Sequence, residues 1–267
     1  MKMTNTAQLQ SIIAFVGSGI NAREKRLSRT SIQTLSVRVQ ANRHASIDHY
    51  CSHFSSLDTE VAVAFHLLQP HSKILSVQIH HNEETPSSDI DGTIPQTSPE
   101  TILAGVEVAV LAGAKLIFLL ACTFDMQNSL LLRECCSRVA QSGCVLLTIS
   151  QDQQSYPGMF PEFFCISPYP ISIDPAYFSS DGSSLTNIFY TDPNFFPNNS
   201  IQRQIFFIAD AKQQNSFVEH IARVLSFVYH KIVQMNHSSD DNSMSVQALL
   251  ESQFYLPLPL NHHVQSS

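Results

Sequence analysis

The chain has 267 residues, a formal net charge of −7 and only 14% charged residues, against about a quarter in ordinary domains. That acidic balance, with no basic stripe, leaves no electrostatic case for nucleic-acid binding. The longest apolar run, Leu116–Cys122, is too short to cross a bilayer and reads as a buried strand, so no membrane partner is expected.

A chain of this length can bury a substantial core without disulfides or metals, and residues 1–267 read as a single domain. The opening stretch, MKMTNTAQLQ, has no apolar segment of the kind that directs secretion. The six cysteines, Cys51, Cys122, Cys135, Cys136, Cys144 and Cys165, form no CxxC pair. Several lie in apolar runs, so they read as core thiols in a reducing compartment, and a cytoplasmic location is expected.

Taken in order, Ser11–Val16 (SIIAFV) is a short β-branched run ending in Gly-Ser-Gly, a buried strand leading into a turn. Arg23–Arg29 is basic and polar and reads as a loop. Ile32–Val39 alternates and predicts a strand with one exposed face. Asp58–Leu68 predicts a helix capped by Asp58 or Thr59, with Glu60 in the first turn and Pro70 stopping it. Lys73–Ile79 (KILSVQI) is a second buried strand.

Residues 82–97 are acidic and turn-rich, a loop. Ser98–Ala112 predicts a helix with Ser98 as N-cap, Pro99 at N1, Glu100 in the first turn and Gly113 at C′. Lys115–Ala121 is a third strand, Ser129–Ser142 a helix ending at Gly143, and Cys144–Ile149 a fourth strand. Beyond it, a strand is expected near Phe163–Ser167, a loop over Tyr190–Asn199, a strand over Ile205–Ala209 and a helix over Asn215–Val233. Residues 236–242 read as flexible, and the C-terminal tail, 256–267, carries two prolines and ends in polar residues.

Strands with continuous apolar runs that alternate with helices predict an α/β fold whose mostly parallel sheet is covered on both faces. Sites in such sheets form at the carboxyl ends of the strands. The places to inspect are therefore Gly17–Ile20, Ile79–His81, Cys122–Asp125 and Ser150–Gln154.

These segments, in this order, resemble the subtilase (subtilisin-like serine peptidase) family. Its first core strand ends in a motif like V-I-D-S-G-I-D; here the stretch is Phe15-Val16-Gly17-Ser18-Gly19-Ile20-Asn21. Its second motif, H-G-T-H-V-A-G, opens a helix and is followed by a strand like K-I-L-x-V-K-V. Here Leu57-Asp58-Thr59-Glu60-Val61-Ala62-Val63 precedes Lys73-Ile74-Leu75-Ser76-Val77-Gln78-Ile79. The family's S-L-G-G strand end, whose backbone binds substrate, matches Leu120-Ala121-Cys122-Thr123. Its A-A-G-N matches Ile149-Ser150-Gln151-Asp152, and its Y-P-A-x-x-P matches the run from Tyr156-Pro157 to Phe160-Pro161. The nucleophile motif G-T-S-x-A-x-P is met best by Gln214-Asn215-Ser216-Phe217-Val218-Glu219-His220.

The resemblance implies a subtilisin-like three-layer fold, with Ser216 as a remnant nucleophile and Cys122 and Thr123 lining a peptide-binding cleft. It also implies a broken catalytic set. The orienting aspartate falls on Gly17, the base on Leu57, and the oxyanion donor on Asp152, a carboxylate where a donor contributes about 3–4 kcal/mol. A serine without a base and an orienter is a poor nucleophile. Only 8 of the 267 residues are glycine, where about 7% is usual, so the close-approach loops of a protease are thinly supplied.

Other groups admit two readings each. His44, His49 and His53 could supply a relocated base for Ser216, or belong to a polar surface loop. His80 and His81, with Glu83, Glu84, Asp89 and Asp91, could hold a divalent metal. They lack ligand spacing such as HxH or HExxH, so a solvated loop is favoured and no metal or cofactor is expected. Asp125 and Asp152 could face one cleft as an acid–base pair, or cap local turns. The favoured expectation is a catalytically inactive subtilase homologue, a pseudoprotease binding a protein or peptide as a regulatory or assembly subunit, with a second copy of itself as another candidate partner. The alternative is an enzyme with a rebuilt site, a Ser216-dependent hydrolase or acyl transferase.

Overall fold

The computed structural model describes residues 11–28, 31–39, 45–49, 54–79, 96–123, 125, 129–149, 156–158, 160, 162–168, 188–190, 203–207 and 215–237. In chain order these are β1 (Ile12–Gly17), a 3-10 helix (Lys25–Leu27), β2 (Ser31–Val39), β3 (Ala45–Asp48), α1 (Ser56–Leu68), β4 (Lys73–Gln78) and α2 (Pro99–Leu111). There follow β5 (Ala114–Leu119), α3 (Ser129–Gln141), β6 (Val145–Ile149), β7 (Phe163–Pro168), β8 (Ile188–Tyr190), β9 (Arg203–Phe207) and α4 (Asn215–His237).

All the described strands join one sheet in the order β3-β2-β4-β1-β5-β6-β7-β9-β8. The strands from β2 across to β9 run parallel, and β3 and β8 pair antiparallel at the two edges. The interior strands are largely apolar because both faces are covered. Ile13, Phe15, Leu116, Phe118, Leu147 and Phe164 point to one side and pack with Leu57, Val61 and Phe65 of α1 and with Ile221, Leu225, Val228 and Ile232 of α4. Their neighbours Ala14, Val16, Ile117, Leu119, Leu146 and Phe163 point to the other side. There they meet Ile102, Val106 and Ala109 of α2 and Leu132, Cys136 and Val139 of α3. The fold is the expected three-layer α/β arrangement.

On the α1/α4 side the core is knitted by aromatic edges. Phe15 meets Phe118 at 5.8 Å and Phe65 at 6.2 Å, and Phe65 meets Tyr229 at 5.6 Å, all T-shaped, a geometry the ring quadrupoles favour. The Tyr229 hydroxyl donates to Ser11 O at 2.9 Å, tying α4 to the start of β1.

Most expected elements are present, with three corrections. Helix α1 starts earlier than expected: Ser55 is its N-cap, with extended backbone and a side chain accepting from Asp58 N–H. Asp58 and Thr59 are therefore inside the helix, and Glu60 lies past the first turn, where it forks with Arg26 at 2.6 and 2.9 Å. Strand β2 alternates only at its start, since Leu35, Ser36 and Val37 are all buried. Strands β3 and β8 were not expected. The 3-10 helix lies within the basic loop. Ser98, Pro99 and Glu100 hold their expected places at the start of α2, and Gly113 after it has φ of +86°.

The five described cysteines are all buried. No described helix is long and apolar enough to cross a membrane. The segments 238–242 and 256–267 lie outside the described residues. Since Phe118 is fully buried in the aromatic contact, Phe118→Ala is expected to cost about 3–5 kcal/mol. Thermal unfolding followed by circular dichroism would register it as a Tm lower by about 10 °C.

Candidate functional site

Strand β1 leaves the middle of the sheet through Gly17-Ser18-Gly19-Ile20-Asn21, and Gly19 takes φ of +100°, a conformation that suits glycine. Main-chain N–H groups in such a place need acceptors. Gly19 N–H donates to Asp58 Oδ2 at 3.0 Å, Ile20 N–H to Ser76 Oγ at 2.9 Å and Asn21 N–H to Thr59 Oγ1 at 3.1 Å. The Gln78 side-chain amide donates to Ser18 O at 3.2 Å, and Ser55 N–H donates to Gly19 O at 3.1 Å. The turn is thus held by α1 on one side and β4 on the other. Further along, Arg26 bridges Glu60 and Glu24 at the surface, where such pairs contribute little.

Asp58 is the group that the sequence reading missed, having taken it for a helix cap. It is 2% exposed. Burial pushes its carboxyl up to about 7, against the opposing pull of the Gly19 amide, the Ser55 side chain and the Ser18 amide. A Cβ placed on Gly17 would stand 2.6 Å from Asp58 Oδ2 and 2.9 Å from Leu120 Cβ. The volume that a side chain at Gly17 would enter is therefore filled by the carboxyl of Asp58, which arrives from the helix instead of the strand. Leu57, next to it, is buried in the apolar core with Ile20 and Leu27. A glycine at the strand end and an acid one residue past Leu57 were visible in the sequence; their proximity was not.

Beyond β5, Cys122 O accepts from Thr97 N–H at 2.9 Å, and Thr123 exchanges both of its main-chain bonds with Tyr156, at 2.8 and 2.9 Å. Gln96 and Tyr156 thus flank the strand end on two sides. Backbone that pairs within the chain is not available to pair with an added peptide strand. Asp125 belongs to a local turn: its N–H donates to Thr123 Oγ1 at 3.2 Å, and its carbonyl accepts from Ser129 Oγ.

Ser216 falls in the first turn of α4, with its side chain outside the described residues. Asp152, His44, His53, His80 and His81 lie outside them too, and so do Glu83, Glu84, Asp89 and Asp91. His49, just after β3, is exposed. Among the described residues no group of three or more His, Cys, Asp or Glu side chains is arranged to hold a metal ion. Burial pushes the Cys135 and Cys136 thiols up, which keeps them protonated and poor nucleophiles.

Gly17→Ala is expected to destabilise by about 1–3 kcal/mol through overpacking. The same change in an Asp58→Gly background is expected to cost less, because the 2.6 Å clash is removed while the Leu120 contacts stay. Urea unfolding of the four proteins gives the coupling, expected at about 0.5–3 kcal/mol for side chains in contact. Additive costs would show that the two positions do not compete for one space.

Comparison with known proteins adds architecture. No protein-family model matches the chain, and no curated protein sequence matches it. Among solved structures, a serine-to-alanine mutant of the protease domain of PatA is similar, with a TM-score of 0.58 and 12% identity, over 93% of this chain and 88% of that one. A psychrophilic protease gives 0.55 and 12%, over 91% and 82%. The prenylagaramide maturation protease PagA gives 0.43 and 14%, and the match spans 54% of that protein and 60% of this chain. Identities this low establish shape alone: the chain has the subtilisin-like α/β fold.

Proposed function

We propose that this subtilisin-fold chain is a pseudoprotease, working as a protein- or peptide-binding, regulatory or assembly subunit. The observation that carries this reading is the exchange at the end of β1. A serine relay needs a base beside the nucleophile and an acid that orients the base. The strand position that the resemblance gives to the acid is Gly17, and the helix position that it gives to the base is the buried, apolar Leu57. The carboxyl that does lie there, Asp58, accepts from the Gly19 amide of the turn. Its work in the fold is to satisfy the main chain, and Leu57 can carry no proton. The internal pairing of Cys122 and Thr123 supports the loss of peptidase activity, since a substrate could not be added as a strand at that end.

A serine-directed fluorophosphonate probe, applied to the wild type and to Ser216→Ala, tests the proposal. The expected result is no labelling of either protein, with both shown folded by circular dichroism. Labelling of the wild type that disappears in Ser216→Ala would establish an activated serine and overturn it.

A further inference from the structure

Three consecutive main-chain amides, Gly19, Ile20 and Asn21, are each held by a different side chain: Asp58, Ser76 and Thr59. Two of these acceptors are hydroxyls. The third is a carboxyl and can change charge. The described groups that meet it are uncharged. The turn presents Gly17, Ser18 and Gly19, the chain after β5 presents Leu120, and Ser55 caps the helix. Ser76 and Gln78 of β4, which hold the rest of the turn, are neutral as well.

Of the charged groups on the flanking elements, Arg26 of the 3-10 helix, Glu24 just before it and Glu60 of α1 bind one another at the surface. His220, on the α4 helix that packs beside α1, is held neutral by burial, its pKa pushed down to about 4. A carboxylate removed from water among neutral groups is strongly disfavoured, so the closed turn prefers the protonated acid.

We propose that Asp58 is a proton-operated latch on the junction between β1 and α1. With the carboxyl neutral, the turn is closed onto the helix. When the proton leaves to solvent, the carboxylate gains hydration only by letting the turn open, and the Gly19–Asn21 amides loosen together.

The direction follows from where each state gives up its proton. The closed state holds it to about pH 7, while a solvated aspartate releases it near its ordinary value of 3.8. Between those values the closed state binds more protons, so closure weakens as pH rises; above pH 7 both states are ionised and the dependence ends.

Amide hydrogen exchange measured by NMR from pH 5 to 9, corrected for intrinsic rates, tests this. Protection at Gly19, Ile20 and Asn21 is expected to fall about tenfold per pH unit up to pH 7 and then level off. Ile117 in β5, fully buried and released only by global unfolding, should stay far better protected than these three amides at every pH, and Asp58→Asn should abolish the dependence. A flat wild-type profile would overturn the latch, and so would protection at Gly19, Ile20 and Asn21 equal to that of Ile117, which would mark opening by global unfolding alone. Should Asp58→Asn fail to fold, the carboxyl carbon of Asp58 can be titrated in the wild type. A midpoint near 7 supports the latch, and one near 4 refutes it. None of these readings depends on whether the chain is an enzyme.

Discussion

The Asp58 carboxyl, buried at the start of α1 and accepting from the Gly19 amide, is the contact around which the carboxyl edge of the sheet is arranged. A central parallel strand must turn away at its end, and the turn carries polar backbone out of the sheet ladder. In this chain β4 and α1 take up that backbone with Ser76, Thr59 and Asp58. Gly17 has no side chain because the carboxyl fills its space. One acid thereby satisfies the Gly19 amide of the turn and dictates the glycine opposite.

The layers beneath depend on a simpler rule. Alternate residues of each inner strand face opposite helix pairs, so every position from Ile13 to Val16 is apolar and none is optional. The aromatic set of Phe15, Phe65, Phe118 and Tyr229 links two strands to two helices on one face. The other face is filled by Phe163 and by aliphatic residues such as Ile117, Leu119 and Leu146, with Ala14, Ala109, Cys136 and Cys165 between them. Both faces are packed to the same end.

The sheet and its helices were largely legible in the sequence, because long apolar strands such as Lys73–Gln78 and capped helices such as Pro99–Leu111 carry strong local signals. Strand β3 was not, since Ala45–Asp48 is four residues long and exposed at an edge, where hydrophobic alternation has no core to report. The start of α1 was misplaced because Ser55, Asp58 and Thr59 are all good cap residues, and only the backbone angles choose among them. The candidate site was less legible still. The glycine at position 17 and the acid at 58 are 41 residues apart, and no local pattern says that one occupies the space of the other. Burial reversed the meaning of Asp58, from a surface cap to an acid held among neutral groups.

The strand order has a kinetic side. β1 is the first of the described strands to be made, yet its neighbours β4 and β5 come from residues 73–78 and 114–119. The hydroxyl that tethers its beginning belongs to Tyr229, 218 residues further on. Contacts so distant along the chain close late and slowly, because the loop entropy must be overcome before they form. The first described strand, apolar on both faces, is therefore covered only as α1, α2 and finally α4 arrive, and until then its apolar surface is open to aggregation.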